Sequence, residues 1–153
     1  MAKEKFVQDV GRNANVKISY LGDNFRSWFL SDDGKIEDPI TEQTLRYYKL
    51  RRSSVDGPIM AELGIPEEVE TTLSEMFCLM EKQKNGESGV LLNNGYANIF
   101  YIKDQSGVRR AVRVSWYGDG WIVDADPVDG PYSWGAGRQV FSRKPLETLA
   151  PAA

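Results

Sequence analysis

Apolar and polar residues alternate along two neighbouring stretches in the C-terminal half of the chain, residues 111–117 and 121–126. Alternation with a period of two places successive side chains on opposite faces of a β-strand. Gly118-Asp119-Gly120 separates the two stretches, and a tight hairpin turn needs the positive φ that glycine tolerates. The pattern therefore predicts a β-hairpin. One of its faces carries Val114, Trp116, Trp121 and Val123, and the other brings Arg113 near Asp124.

The segment just upstream, residues 96–103, alternates in the same way and is followed by a turn signal at residues 104–107. Folding the chain at that turn predicts which side chains join the face of the two tryptophans: Ala97, Ile99 and Tyr101. Phe100 and Ile102 then lie on the reverse face. The reverse face is half apolar, so we expect another part of the chain to cover part of it.

Residues 66–84 carry the clearest helical pattern in the chain. Apolar side chains recur at positions i, i+4, i+7, i+8 and i+11: Val69, Leu73, Met76, Phe77 and Met80. Pro66 suits the first helical position, because its missing N–H would be unpaired there in any case. Asn85-Gly86 is typical of a helix end. The pattern predicts one long amphipathic helix that buries its apolar stripe on the sheet.

Weaker patterns predict the remaining elements. Alternation favours strands over residues 16–21 and 25–30, and a last strand over residues 138–143. Residues 41–52 fit either a strand or a helix, and we favour the strand. Residues 127–137 are rich in proline and glycine but also contain aromatic residues, which indicates an ordered loop.

Together these elements predict the fold class α+β. We expect a single domain over residues 1–143, followed by a C-terminal tail at residues 144–153. Its antiparallel β-sheet consists of a meander over residues 89–143 and the N-terminal strands, and it packs on the one long helix at residues 66–84. At 153 residues the chain is long enough to fold around its own core without a disulfide or a metal.

Composition and charge narrow the functional classes. The net charge of −3 produces no global field that would attract nucleic acid or an anionic membrane. The chain has no histidine, which removes the usual general base near neutral pH and the commonest metal ligand. Its one cysteine fits a reducing cytoplasm, and no apolar run approaches the length of a transmembrane helix. We therefore expect a cytoplasmic protein without cofactor, metal or membrane partner, a monomer or small homo-oligomer, and we favour a protein that is not an enzyme.

Aromatic residues in and beside the loop at residues 127–137 are the leading candidates for a contact surface. Aromatic side chains supply large contact area at low entropic cost, and binding residues are often found on loops held by a rigid scaffold. The sequence thus predicts a non-catalytic binding or interaction module that contacts its partner through Tyr117, Tyr132, Trp134 and Arg138. A protein or a small ligand is a better partner than nucleic acid for an acidic chain.

Three other chemistries stay open. Cationic side chains neutralise phosphates, and tyrosines stack on bases. The sequence therefore predicts nucleic-acid binding by Arg46, Tyr47, Lys49, Arg51 and Arg52. An enzyme without histidine would use carboxylates at the sheet edge, although no pair is positioned by the sequence. Closely spaced aspartates like those of a calcium loop occur in the run Asp124-Ala125-Asp126-Pro127-Val128-Asp129-Gly130. Its spacing departs from the EF-hand pattern, so we interpret it as a strand end and a turn.

Four runs of the sequence resemble a group of small hypothetical proteins from uncultured bacteria. They are residues 37–58 (EDPITEQTLRYYKLRRSSVDGP), residues 70–102 with EKQKNGESGVLLNNGYANIFYI inside them, Gly118-Asp119-Gly120-Trp121, and Val140-Phe141-Ser142-Arg143. The resemblance covers most of the chain and implies no activity and no catalytic residue.

The order of the predicted elements is also similar to that of C-type-lectin-like variable proteins diversified by retroelements. In both, a strand and a helix precede several strands and a closing strand, with Trp and Gly near the end. This similarity implies a rigid scaffold that displays Tyr117, Asp124, Tyr132, Trp134 and Arg138.

Overall fold

The computed structural model describes residues 2–37, 45–128 and 133–143, which form a sheet of six strands and five short helices. In chain order the elements are α1 (Ala2–Lys5), β1 (Ile18–Leu21), α2 (Asp23–Phe29), β2 (Arg46–Lys49), α3 (Asp56–Leu63), α4 (Pro66–Val69), α5 (Leu73–Glu81), β3 (Asn98–Lys103), β4 (Arg109–Tyr117), β5 (Gly120–Pro127) and β6 (Gln139–Ser142). The strands lie side by side in the order β1-β5-β4-β3-β6-β2. Among the described residues, no helix has the length and apolar character needed to cross a membrane.

The sheet is mixed, so the predicted antiparallel sheet is wrong. β1 runs parallel to β5 and β6 runs parallel to β3, whereas β3–β4, β4–β5 and β2–β6 are antiparallel pairs. Alternation assigns side chains to faces but carries no information about the direction of a neighbouring strand. Neither parallel pair is joined by a short hairpin, whose turn residues would have revealed the pairing in the sequence.

The single long helix predicted over residues 66–84 is also wrong, because the chain leaves the helical conformation at residues 70–72. There the Thr71 N–H donates to the Tyr101 carbonyl oxygen (2.9 Å), which ties this segment to β3. Thr72 then starts α5 with a capping box: its side chain accepts from the Glu75 N–H, and the Glu75 side chain accepts from the Thr72 N–H. As a result, Val69 and Leu73 belong to two different buried clusters, although they lie on one stripe of the predicted helix.

The hairpin predicted between β4 and β5 is confirmed. Trp116 pairs with Trp121 and Val114 with Val123 across the two strands. The Trp121 side chain is fully buried, and the Trp116 ring packs edge-on against it with ring centroids 5.3 Å apart. Strands are also confirmed within residues 16–21, 41–52 and 138–143, as β1, β2 and β6.

The predicted assignment of the β3 side chains to the two faces of the sheet is wrong, because the register between β3 and β4 differs by one residue. A four-residue turn at residues 104–107 would pair Lys103 with Val108, but the observed partner of Lys103 is Arg109, so the loop has one residue more. Because side chains alternate along a strand, a shift of one residue moves each of them to the other face. Phe100 therefore shares a cluster with Trp121, and Tyr101 lies on the reverse face.

Residues 25–30, predicted as a strand, are helical instead. α2 runs from Asp23 to Phe29, and the rings of Phe25 and Phe29 stack at 5.2 Å with no exposed surface. Two aromatic residues four positions apart lie on the same side of a helix, so the pattern of this segment fits both periodicities. Burial of these two rings against the sheet decides the conformation in favour of the helix.

Helices cover both faces of the sheet, which we call face A and face B. The cluster on face A is covered by α1, α2 and α5, and its sheet residues include Phe100, Val112, Val114, Trp121 and Phe141. The cluster on face B is covered by α3 and α4, and its sheet residues are Ile99, Tyr101, Ala111 and Val140. The expectation that another part of the chain covers part of the reverse face is thus confirmed, and the covering segments are α3 and α4.

Candidate functional site

The described helices cover only part of face B. Its buried cluster reaches Ala111 near the start of β4, and the following side chains on that face are Arg113, Ser115 and Tyr117. These polar residues belong to a cleft of about 610 Å³, which is also lined by Asp126 of β5 and by residues 133–135. The starts of α2 and α3 add Asn24 and Asp56 to its walls, and Arg138 completes the rim. A cleft of this size is sufficient for a small molecule.

Asp56 is the most unusual group in the cleft, because it is only 4% exposed. Its Oδ1 atom accepts one hydrogen bond from the Tyr101 hydroxyl (2.6 Å) and another from Trp134 Nε1 (2.8 Å). Burial raises the pKa of Asp56, and this effect outweighs the two hydrogen bonds, which lower the pKa; the charge of Asp126 adds to the rise. No described residue donates to Oδ2, so that oxygen can hydrogen-bond a ligand.

Arg113 lies between two carboxylates of the neighbouring strand. Its Nε atom donates to Asp126 Oδ2 (3.0 Å), and its Nη2 atom donates to Asp124 Oδ2 (3.3 Å). The cross-strand pair of Arg113 and Asp124 expected from the sequence is therefore confirmed. Asp124 is also held from the side of α2, because its Oδ1 atom accepts from the Phe25 N–H (3.4 Å). The positive charge of Arg113 is compensated within the protein.

Arg138 differs from Arg113, because no carboxylate of a described residue lies within ion-pair distance of it. Its guanidinium carbon lies 4.0 Å above the centroid of the Tyr96 ring, in a cation–π contact. Its Nη1 atom donates to the Ala136 carbonyl oxygen (3.1 Å). The stacking and the hydrogen bond hold a positive charge at the rim of the cleft.

Among the described residues, two aromatic side chains line the cleft, and they are positioned in different ways. Trp134 is fixed through its backbone, which exchanges two hydrogen bonds with Ser54 (2.8 and 3.0 Å), and through its indole N–H, which donates to Asp56. Tyr117 stands at the end of β4 with 58% of its surface exposed. The cleft thus combines one fixed aromatic residue with one that is free to contact a ligand.

Three of the four residues predicted as contact residues meet in this cleft: Tyr117, Trp134 and Arg138. The fourth, Tyr132, lies outside the described residues. That these residues bind a ligand stays a prediction. No pattern along the chain indicates Asp56, because its role depends on a contact with Trp134, a residue 78 positions further along.

The basic residues predicted for nucleic-acid binding lie elsewhere. β2 is an outer strand of the sheet, and the side chains of Arg46, Tyr47, Lys49, Arg51 and Arg52 are exposed on it and just after it. The ring of Tyr47 packs on Phe141 with centroids 5.6 Å apart, so one of its faces is not accessible for stacking on a base. Nucleic-acid binding by this patch stays a prediction.

The calcium-loop aspartates are engaged in other contacts, since Asp124 and Asp126 both pair with Arg113, and Asp129 lies outside the described residues. Within residues 2–37, 45–128 and 133–143, no three His, Cys, Asp or Glu residues are grouped so that they could hold a metal ion. Comparison with protein-family models, curated proteins and solved structures found no match for this chain.

Proposed function

We propose that the protein is a binding module whose cleft on face B takes a small polar molecule with a flat ring. The proposal is supported best by the meeting of Tyr117, Trp134 and Arg138 in one cleft. The same cleft contains Asp56, one of whose carboxyl oxygens accepts no hydrogen bond from the described residues. A few polar groups that converge on a concave, partly aromatic surface are typical of small-molecule sites.

The second support is the rigidity of the cleft. Trp134 and Asp56 fix one another through a hydrogen bond, and two backbone hydrogen bonds join Trp134 to Ser54 ahead of α3. Arg113 is held by two carboxylates of β5. Side chains ordered before the ligand arrives reduce the entropic cost of binding.

A fragment titration followed by ¹⁵N–¹H NMR tests the proposal. The probes are neutral single-ring aromatic alcohols and amides at millimolar concentration, and the reporters are the Trp134 indole and the amides of Ser115 and Gly135. We expect several probes to shift these signals, and Tyr117→Ala to weaken their binding by about tenfold, because a stacking contact of roughly 1–3 kcal/mol is lost.

The matched control is Tyr20→Ala. Tyr20 is 47% exposed on the outer strand β1 and does not line the cleft, so its substitution is expected to leave binding unchanged. The proposal is wrong if no probe shifts the signals of the cleft, or if the two tyrosine substitutions weaken binding equally.

A hydrolase without histidine is the second candidate, and Asp56 favours it. Because burial raises the pKa of Asp56, this carboxyl group keeps its proton to higher pH than an exposed aspartate and is suited to general-acid catalysis. Asp126 in the same cleft supplies a second carboxylate. Turnover of 4-nitrophenyl glycosides or esters that is lost in both Asp56→Asn and Asp126→Asn would support an enzyme, and absence of turnover over the whole panel would contradict it.

The binding module also implies a choice of partner and location. An acidic chain with a cleft of this size favours a small ligand over nucleic acid, and its one cysteine favours the cytoplasm. A gel-shift assay at low salt separates the two partners, because binding through residues 46–52 would retard the nucleic acid and would disappear as the salt concentration rises.

A further inference from the structure

Arg138 carries a positive charge that the described part of the protein does not neutralise. The other arginine of the cleft, Arg113, contacts two carboxylates, and outside the cleft Arg109 and Arg143 each contact one. Arg138 has instead a ring below it and a carbonyl oxygen at Nη1, neither of which carries a formal charge. The guanidinium group has five N–H donors, and most of them have no acceptor among the described residues.

The surroundings of Arg138 hold the guanidinium group in place before a ligand arrives. One face lies 4.0 Å from the centroid of the Tyr96 ring, and a Cβ atom added to Gly135 would come within 2.7 Å of Nη1. The loop therefore passes directly beside the guanidinium group. A guanidinium group that is ordered in advance loses less entropy when it forms a bidentate pair with a carboxylate or a phosphate.

The charges of the cleft are divided between its two ends. Asp56 and Asp126 disfavour an anion near them, since Asp56 lacks any cation partner among the described residues and Asp126 shares Arg113 with Asp124. Arg138 offers a positive charge at the rim that no carboxylate of the described residues compensates. An oriented ligand would thus present an anionic group to Arg138 and hydrogen-bond donors to Asp56.

We propose that the ligand of this cleft is a small organic oxyanion, a carboxylate or phosphate carried on a flat ring, and that Arg138 pairs with its oxyanion. This inference rests on the proposed function, because it assigns a ligand class to the same cleft. Carboxylate and phosphate share the geometry that the guanidinium fork matches, and the probes below distinguish between them.

The test compares anionic and neutral probes of similar size. Benzoate and phenyl phosphate are titrated against benzamide and benzyl alcohol at low, constant ionic strength, with the Trp134 indole signal as the reporter. We expect the anionic probes to bind about tenfold or more tightly than the neutral ones, as charge-assisted hydrogen bonds to a guanidinium group imply. The tighter of the two anions identifies the oxyanion that the cleft prefers.

Arg138→Gln is expected to remove this preference, because the anionic probes lose much more affinity than the neutral probes do. Arg52→Gln is the matched control, because it removes the same charge from an exposed position outside the cleft and is expected to keep the preference. Arg138→Lys keeps the charge without the fork and is expected to retain part of it.

The possible failures can be told apart. If the neutral probes bind in the cleft as tightly as the anions, the oxyanion inference is overturned while the proposed function stands. If no probe shifts the cleft signals, both are overturned. If Arg52→Gln abolishes the preference as Arg138→Gln does, the effect comes from net charge, and the assignment to Arg138 is wrong.

If Arg138→Gln does not fold, salt titration of the unsubstituted protein replaces it: anion binding that weakens with added salt supports the ion pair, and anion binding that is insensitive to salt overturns it.

Discussion

Asp56 joins the core to the cleft, because its Oδ1 atom is the acceptor for two donors from distant parts of the chain, the Tyr101 hydroxyl and the Trp134 indole N–H. Asp56→Ala removes that acceptor. The Tyr101 side chain has no exposed surface, so its hydroxyl is left without a partner, at a cost of about 1–3 kcal/mol in the free energy of unfolding. The Trp134 indole lies beside the cleft, where water can replace the lost acceptor, so we expect a smaller contribution from it.

Asp56→Asn has a different expected outcome. The amide oxygen of asparagine still accepts both hydrogen bonds, while the buried negative charge disappears. Because burial raises the pKa of Asp56, the folded protein holds the proton more tightly than the unfolded chain does. This contribution to stability is fully present below the pKa of the unfolded chain and is lost as the pH rises through the folded-state pKa. Asparagine has no such loss, so the stability of Asp56→Asn relative to the unsubstituted protein is expected to improve as the pH rises from acid to neutral.

Urea unfolding of the unsubstituted protein, Asp56→Ala, Asp56→Asn and Tyr101→Phe at an acidic and at a neutral pH measures these differences. A double-mutant cycle between Asp56→Ala and Tyr101→Phe isolates the pair, and the alanine substitution is expected to cost less when the hydroxyl is absent. The role of Asp56 as a shared acceptor is refuted if Asp56→Asn destabilises the protein as much as Asp56→Ala does at neutral pH, or if the cycle shows no coupling between the two residues.

Three further substitutions test the fold. Phe77→Ala is expected to lower the free energy of unfolding by about 3–5 kcal/mol in urea titrations, because this residue is 5% exposed in the face A core. Glu37→Gln is expected to destabilise the protein at neutral pH. Burial raises the pKa of Glu37, but hydrogen bonds from an ammonium group and from the first two amides of α5 outweigh it, so the pKa lies below its usual value. The contribution of this carboxylate is lost as the pH falls through its folded-state pKa, so the difference from glutamine should shrink on acidification. Gly86→Ala is expected to lower the melting temperature more than Gly118→Ala, since both have positive φ but only at Gly86 would the Cβ atom overlap the Trp116 indole.

The sequence was informative where neighbours in the chain are also neighbours in space. The β4–β5 hairpin followed from its alternation and its glycine turn, including the pairing of Trp116 with Trp121. The register of β3 did not, because one extra loop residue moves Phe100 to the opposite face and periodicity does not count loop residues. The parallel neighbours of β1 and β6 leave no local signal at all.

The interruption between α4 and α5 had a signal that the apolar stripe obscured. Thr72 and Glu75 have the spacing of a capping box, which marks a new helix start within the stripe. The candidate site was predictable only in part. The aromatic loop indicated Trp134 and Arg138, but the partner of Trp134 is Asp56 at the start of a distant helix, and no spacing along the chain connects the two. The cleft exists because the covering helices end where β4 becomes polar, which is a property of the assembled sheet.

The most direct test of the proposed binding site is a crystal structure of the protein soaked with benzoate. We expect the ring in the cleft beside Tyr117 and Trp134, with the carboxylate within hydrogen-bonding distance of the Arg138 guanidinium group. Benzoate bound only outside the cleft, or a cleft that holds no benzoate while its entrance is open to solvent in the crystal, would contradict this site.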